Sequence, residues 1–330
     1  MAEALVLGKF MPPHAGHLHL IAFAQRFAGK ARVVVEEIPE EPIPVALRAG
    51  WLRELCPESE ILTLHDKNPQ EPSEQCPDFW QIWRESLLRV LGRPPAYVVA
   101  SEAYGGRLAA ELGARFIPLD GWRSALPISA TAIRKAPWEH WEYLPAPVRA
   151  HFAARVRLMG AESTGKSQLA RRLAEHFQTR AVPEFAESLL RAEPARELTP
   201  ELLLDFAKGQ LASEDSLARH ANRLLVCDTC ATTTALWHEL LFKAPHPQIQ
   251  SLARDRRYAL TLVCKPDVPY VGDTHRVAET TRGPYHALLT QSLSHDEPVI
   301  HLSGDWEARY QAALQAVQRA LPWAAAQSTQ

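Results

Sequence analysis

Short apolar runs alternate with segments of helical periodicity from residue 4 to about residue 120. "EALVLGKF" reads as a buried strand ending in glycine, and "HLHLIAFAQRFA" as a helix with Leu18, Ile21 and Ala22 at core spacing. "ARVVVEEI" is a second strand, "PVALRAGWLREL" a helix and "SEILTLHD" a third strand. After a loop punctuated by Pro and Cys, "DFWQIWRESLLRVLG" reads as an amphipathic helix with Asp78 as its N-cap. "AYVVAS" and "ARFIPLD" supply strands four and five. Strands alternating with helices imply a parallel α/β sheet. "APWEHWEYLPAPVRAHFAA" breaks the pattern, being helical, aromatic and punctuated by Pro145 and Pro147. Alternation restarts at "ARVRLMG", with the helix "SQLARRLAEHF" and the strands "RLLVCD", "RYALTLVC" and "EPVIHLSG". A final helix starts at Asp305, and its stripe of Tyr310, Leu314, Val317 and Leu321 is expected to dock on its own domain's core. The pattern predicts a first α/β domain over 1–136, a helical linker over 137–154 and a second α/β domain over 155–330.

Composition agrees with two globular domains in 330 residues, at 46% hydrophobic and 22% charged. Lys and Arg number 36 against 38 Asp and Glu, a net charge of -2. No global basic field therefore argues for a nucleic acid or an acidic membrane. No apolar run approaches the roughly 20 residues of a spanning helix. The N-terminal "MAEALVLGKF" lacks the basic region and long apolar stretch of a secretory signal. Five cysteines without framework spacing fit a reduced, cytoplasmic compartment. Cys227 and Cys230 form a C-x-x-C with no second pair, at the end of an apolar strand, and are read as packing.

"GAESTGKS", Gly160 to Ser167, matches G-x-x-x-x-G-K-[ST] between a strand and a helix, the context of a P-loop. Its glycines let successive backbone N–H groups turn inward on an anion, and the helix N-terminus adds its positive end. Glu162, Ser163 and Thr164 complete the loop between Gly160 and Gly165. Lys166 is expected on the β- and γ-phosphates of ATP, and the Ser167 hydroxyl on Mg²⁺. Asp228, ending an apolar strand, stands where a second Mg²⁺ carboxylate is needed. Arg276 and Arg282 lie in "GDTHRVAETTRG", a polar loop expected to close over the transferred phosphate.

"GKFMPPHAGH" carries H-x-G-H at a strand-to-helix turn. Gly16 permits close approach of a phosphate, the helix start favours the anion, and His14 and His17 lie one turn apart on one face. That arrangement suits nucleotidyl transfer, in which charge builds on the α-phosphate and no protein nucleophile is required. "ISATAIR", Ile128 to Arg134, adds a helix start with Ser129 or Thr131 near the cap and Arg134 aimed at the distal phosphates.

"GKFMPPHAGH" with "ISATAIR" resembles the nucleotidyltransferase superfamily that carries the H-x-G-H signature. The addition of "GAESTGKS" and "CDTCATT" resembles the bifunctional NadR-type proteins, nicotinamide mononucleotide (NMN) adenylyltransferase fused to ribosylnicotinamide kinase. The resemblance runs from residue 4 to about residue 321. It implies a Rossmann-like nucleotidyltransferase domain followed by a P-loop domain of the nucleoside-kinase type. His14 and His17 would hold the ATP α-phosphate, with Lys9 and Arg134 on the distal phosphates and Gly8, Phe10, Gly16, Ser129 and Thr131 completing the ATP site. Trp83, in "FWQIWRESL", would stack on the nicotinamide ring of NMN, a contact suited to a flat cation. "SEAYG", Ser101 to Gly105, would border the adenosine or a ribose. In the kinase half, "VPEFAESLL" resembles an E-Y-x-R-E segment on the nucleoside side, with Glu184 as its first acid, Phe185 for tyrosine and Glu187 for arginine. "YVGDTHR" resembles an aromatic-x-D-D-G-x-R lid, keeping Asp273 and Arg276 but carrying Gly272 and Thr274.

These implications add up to a bifunctional NAD salvage enzyme using ATP, Mg²⁺, NMN and nicotinamide riboside. The net charge leaves nucleic acid and membrane out, no room precedes Gly8 for a DNA-binding domain, and a homo-oligomer is compatible with the chain. Two other readings stay open: a P-loop half that senses nucleotide without turnover, and one that acts on another nucleoside.

Overall fold

The computed structural model describes residues 2–38, 40–193, 196–271, 279–293 and 297–327. They form two compact units, Met1–Val148 and Arg149–Gln330. The division falls inside the segment read as a linker.

The first unit contains β1 (Ala2–Gly8), α1 (Ala15–Ala28), β2 (Gly29–Glu36), α2 (Val45–Leu55), β3 (Glu60–Leu64), α3 (Phe79–Leu91), β4 (Tyr97–Ala100), α4 (Tyr104–Leu112), β5 (Arg115–Pro118) and α5 (Ala130–Lys135). All strand pairs are parallel, in the order β3-β2-β1-β4-β5. Alternation along β1 divides the core. Ala4 and Val6 pack with Ile21, Ala24, Ala49 and Leu52 of α1 and α2, whereas Leu5 packs with Trp83, Leu87, Leu108 and Leu112 of α3 and α4. The strand order reverses between β1 and β4, and such a switch point opens a crevice beyond the strands' carboxyl ends. The loop after β1 and the loop after β4 both leave from that edge.

One local expectation fails. Asp78 precedes α3 at φ -87° and ψ 14°, outside the extended conformation of a capping residue, and makes no cap bond. By contrast Ser129 and Asp305 cap as expected, accepting from the backbone N–H groups of Ala132 and Ala308.

α6 (Ala146–Phe152) straddles the division. The second unit continues with β6 (Ala154–Met159), α7 (Lys166–His176), β7 (Arg180–Val182), α8 (Phe185–Ala192), α9 (Pro200–Ala218), β8 (Leu224–Asp228), α10 (Ala231–Phe242), α11 (Pro247–Asp255), β9 (Leu260–Cys264), α12 (Arg282–Ser292), β10 (Val299–Leu302) and α13 (Trp306–Ala320). Its parallel sheet runs β10-β9-β6-β8-β7. Val156 and Leu158 of β6 pack with Leu173 of α7, Val317 of α13 and Leu321 at its C-cap, so the final stripe docks on its own unit. Leu202, Phe206, Ala231 and Ile249 build a helical layer from α9, α10 and α11. Placing β8 beside β6 sets the end of one strand against the P-loop that follows the other.

Cys230 is the N-cap residue of α10, and its Sγ lies 3.7 Å from Nη1 of buried Arg157, in keeping with packing. Among the described residues no group of three or more His, Cys, Asp or Glu side chains is placed to hold a metal, and no helix is long and apolar enough to cross a membrane.

Candidate functional site

In the first unit, β1 ends at Gly8 and the chain turns through Phe10, whose φ is +49°. A Cβ at Gly8 would lie 3.3 Å from the Phe10 ring. His14 then takes an extended backbone and caps α1, its Nδ1 accepting from the Gly16 N–H at 3.1 Å. That bond fixes the neutral tautomer and leaves Nε2 as the donating nitrogen of His14. Glycine at 16 leaves room for the His14 ring, which a Cβ there would crowd at 3.1 Å. The His14 and His17 rings stack with centroids 3.8 Å apart, and Phe10 meets His17 edge-on at 5.0 Å. Two histidines three residues apart thus form one packed pair.

"ISATAIR" reaches the same place from the far end of the unit. The Ile128 side chain stands 3.7 Å from the position of a Gly16 Cβ. Arg134 donates from Nη1 to the Met11 carbonyl at 2.6 Å and from Nη2 to the Thr131 hydroxyl at 3.2 Å. The structure therefore brings His14, His17, Gly16, Phe10, Ser129, Thr131 and Arg134 together at the β1 edge. Lys9 keeps an exposed side chain, while its carbonyl accepts from Arg48. Arg48, 1% exposed, also donates to the carbonyls of Glu36 at 3.0 Å and Ile43 at 2.8 Å, and so ties the loop to β2 and α2. Nothing in the sequence marks it. Trp83 is buried among Leu5, Leu64 and Leu87, and its indole N–H donates to the Pro69 carbonyl at 2.9 Å. The segment from Ser101 leads straight into α4, with the Tyr104 hydroxyl donating to the Leu7 carbonyl at 3.0 Å.

Burial depresses the His14 pKa to about 4, helped by the charge of Arg123. Burial holds His17 well below its ordinary value too, with His14 and Arg123 adding to the effect. Both rings are neutral at pH 7. A polyphosphate beside them favours the cationic form and raises both values. Nucleotide binding is thus expected to take up protons as pH falls below neutrality. Calorimetric titration of a non-hydrolysable ATP analogue into protein with a disabled P-loop, in buffers of different ionisation heat, measures this. Binding with no proton exchange from pH 5 to 7 would contradict it. Since the folded-state pKa of His14 lies below its unfolded value, its share of stability is complete above about pH 6.5 and lost as pH falls through about 4.

In the second unit, Gly160, Ser163 and Gly165 hold φ values of +147°, +57° and +80°. Thr164 Oγ1 and Lys166 Nζ both donate to the Ala161 carbonyl, at 2.8 and 3.0 Å, and Ser163 Oγ donates to the Val271 carbonyl at 2.7 Å. Asp228, 3% exposed, ends β8, and its Oδ1 has no hydrogen-bond partner among the described residues. Burial raises its pKa against the opposing pull of Lys166 and the Ser167 hydroxyl. A hard cation bound by one carboxylate, one hydroxyl and phosphate oxygens fits this donor set.

A cleft of about 820 Å³ opens along the loop, lined by Gly160, Lys166, Glu184, Glu187, Asp228 and Trp237 among others. Burial lifts the Glu184 carboxyl to about 7, moderated by Lys166 and reinforced by Asp228. Glu187 pairs with Arg191 at 2.7 Å, so the substitution for arginine adds no uncompensated charge. Phe185 packs its ring on α9, where a Cβ at Gly209 would lie 2.3 Å away. Trp237, stacked on Tyr285 at 4.7 Å, and Gln210 line a pocket together with Glu184, and sequence reasoning missed both. Their signals were an aromatic on α10 and a polar residue on the buried face of α9.

Arg282 needs correction. It is not in an open lid but is the first residue of α12, buried, donating to the Val268 carbonyl at 3.1 Å with Tyr270 beneath its guanidinium. Arg276, Gly272, Asp273 and Thr274 lie outside the described residues.

A further buttress was invisible in the sequence. Arg309 of α13, 2% exposed, donates to the carbonyls of Thr164 and Lys265 at 3.0 Å and Gly304 at 2.8 Å, and pairs with Asp267. Trp306 covers Gly165 so closely that a Cβ there would meet its ring at 2.2 Å. Gly165→Ala is therefore expected to strain the loop by about 1–3 kcal/mol and to erase the melting-temperature gain from AMP-PNP at the P-loop. An undiminished gain would contradict this.

Comparison with known proteins places these sites in context. A family model described as an AAA domain matches residues 155–309. The chain is 25% identical to "Trifunctional NAD biosynthesis/regulator protein NadR" of Salmonella typhimurium, over 93% of this chain and 80% of that protein. It is also 25% identical to the protein of the same name from Escherichia coli, over 88% and 75%. A crystal structure of a NadR protein in complex with NAD and AMP-PNP superposes with a TM-score of 0.79 at 24% identity, covering 97% of this chain and 96% of that one. A NadR structure in complex with NR superposes with the same score and covers 96% and 95%. The resemblance read from the motifs extends along nearly the whole chain, and the α/β fold of both units is shared.

Proposed function

We propose that this NadR-like chain performs two ATP-dependent steps of NAD synthesis, one in each unit. The observation that carries the reading is the presence in one chain of a packed, neutral H-x-G-H pair at a sheet switch point and a P-loop near the buried Oδ1 of Asp228, which has no hydrogen-bond partner among the described residues.

The second unit would transfer the γ-phosphoryl group of ATP to the 5′-hydroxyl of nicotinamide riboside, giving NMN and ADP. Backbone N–H groups of Gly160–Gly165 and Lys166 hold the phosphates, and Lys166 exchanges its Ala161 contact for them. Mg²⁺ held by Ser167 and Asp228 would offset the charge on the β- and γ-phosphate oxygens. Asp228 would help hold the metal, and its carboxylate can receive the hydroxyl proton. Glu184, near half-protonated at neutral pH, suits a hydrogen bond to a ribose hydroxyl, and Trp237 offers a flat face to the pyridine.

The first unit would join NMN to AMP from a second ATP, giving NAD and pyrophosphate. The NMN phosphate oxygen attacks the α-phosphorus as the bond to the β-phosphate oxygen breaks. His14 and His17 donate to the α-phosphate as its charge grows, while Lys9 and Arg134 receive the leaving pyrophosphate. Gly8, Phe10, Gly16, Ser129 and Thr131 shape the surface around ATP. Trp83, 7% exposed and held by its bond to Pro69, would stack the part of its ring face left open on the nicotinamide of NMN.

A regulatory step on nucleic acid is not part of the proposal, because a net charge of -2 supplies no field for it. The five free cysteines and the ATP-linked chemistry support a cytoplasmic setting. Purified protein given nicotinamide riboside, ATP and Mg²⁺ tests the reading by chromatography. NAD appearing with ADP and pyrophosphate is expected. NAD formed only from added NMN would leave the P-loop unit as a nucleotide sensor or a kinase of another nucleoside.

A further inference from the structure

A third loop leaves the carboxyl edge of the first sheet, the segment that runs from β5 to "ISATAIR". Asp120 organises it. Its Oδ1 accepts from the Ser124 N–H and hydroxyl, both at 2.8 Å, and its Oδ2 from the Ala125 N–H at 3.1 Å. The Arg123 N–H donates to the Asp120 carbonyl at 2.9 Å. Asp120 and Arg123 both hold left-handed backbones, with φ values of +46° and +52°. Residues with side chains rarely adopt that conformation unless the surroundings impose it, and such positions cluster at binding sites. The loop is seated on the end of β4, where a Cβ at Gly121 would lie 3.3 Å from the Ser101 carbonyl.

This built turn sets Arg123 at the switch-point edge. Its Nη2 meets Glu102 Oε1 at 3.2 Å, with the two side chains 44% and 60% exposed. The guanidinium charge is felt by both His14 and His17 and helps keep them neutral. A cation at the sheet edge that carries the histidine pair, its counter-ion an exposed carboxylate, is poorly explained as a stabilising pair, since exposed pairs contribute little. It is well explained as a phosphate ligand awaiting its anion. A guanidinium binds phosphate through two parallel N–H groups, a stronger contact than a single solvent-screened bond to Glu102.

We infer that Arg123 is a further phosphate-binding residue of the adenylyl-transfer site, held on Glu102 until a nucleotide phosphate draws it away. The inference rests on adenylyl transfer in this unit as proposed above. The phosphate is either that of ATP or the monoester of NMN, and both present the same chemistry to the fork.

The test uses the full chain with Arg123→Ala, Arg123→Lys and Glu102→Gln. NAD formation from NMN and ATP is followed with each substrate varied in turn, and riboside phosphorylation serves as the internal control. Arg123→Ala is expected to lower kcat/KM for NAD formation about 10²-fold, with riboside phosphorylation and melting temperature unchanged. Arg123→Lys recovers part of the loss, because a point charge replaces a fork. A KM rise for ATP alone identifies the triphosphate, and one for NMN alone the acceptor phosphate. Glu102→Gln is expected to leave kcat within about threefold of wild type and to lower the affected KM. Arg123→Ala within about twofold of wild type in every parameter would overturn the inference, as would a Glu102→Gln loss equal to that of Arg123→Ala, the mark of a structural clip. Should the wild type make no NAD from NMN, the proposed function fails. Calorimetric titration of α,β-methylene-ATP and of NMN then decides the inference separately: about tenfold weaker binding of either to Arg123→Ala supports it, and equal affinities overturn it.

Discussion

His17→Ala stops NAD formation from NMN and ATP, with a fall in kcat of at least about 10²–10³-fold, the usual loss for one donor to a developing charge. Riboside phosphorylation proceeds at the wild-type rate. The selectivity follows from the packing of His17 against His14 at 3.8 Å and Phe10 at 5.0 Å, all within the first unit. The double variant His14→Ala, His17→Ala falls less than the product of the single losses, because two stacked donors act as a unit. His14→Ala also removes the cap of α1, which costs about 1 kcal/mol, so His17 is the cleaner probe of chemistry. Rates of pyrophosphate release and of ADP formation, measured on one preparation, read both halves. Loss of both activities in a protein with an unchanged melting curve would contradict two separate sites.

Lys166→Ala does the reverse. It is expected to cut riboside phosphorylation by about 10²–10³-fold, with NAD formation from supplied NMN intact. The lysine opens α7 directly after Gly165, and its ammonium donates to the Ala161 carbonyl at 3.0 Å, a contact that phosphate binding would replace. Burial of Asp228 raises its pKa, while Lys166 and Ser167 hold it down, so loss of the ammonium also leaves that carboxylate harder to ionise. The kinase pH profile of any residual activity should therefore move to higher pH on its acid side. Coupled ADP assays from pH 5.5 to 8 report this, and an unmoved limb would show that Asp228 and Lys166 act independently.

Much of this was readable before any coordinates. The parallel sheets announce themselves because a strand covered on both faces needs a continuous apolar run, as "LLVC" in β8 and "VVV" in β2 are. The P-loop and the H-x-G-H turn are legible because their geometry restricts residue type: glycine suits the φ of Gly160, and a Cβ at Gly16 would crowd the His14 ring. What stayed hidden depends on contacts distant in sequence. Arg309 looks like any helix-face arginine until its guanidinium meets carbonyls from Thr164, Lys265 and Gly304. Arg48 is silent for the same reason. Arg282 sits in a polar stretch, yet the chain enters α12 there and buries it. The stretch from Thr179 to Asn222 yielded no elements on reading, although α9 carries a usable start signal. Thr199 caps it through the Leu202 N–H, with Pro200 as its first residue. Asp78 teaches the opposite lesson, since a good capping residue does not cap when its backbone is not extended.

The central claim is that one chain adds two phosphates from two ATP molecules by different chemistries. Label transfer tests it most directly. Wild-type protein is incubated with nicotinamide riboside, Mg²⁺ and ATP carrying phosphorus label at either the γ- or the α-position, and purified NAD is cleaved into its two mononucleotides. The account predicts γ-label only in the NMN half and α-label only in the AMP half. γ-Label missing from NMN, with α-label still in AMP from added NMN, would contradict the kinase assignment, and no α-label in the AMP half under any condition would contradict adenylyl transfer.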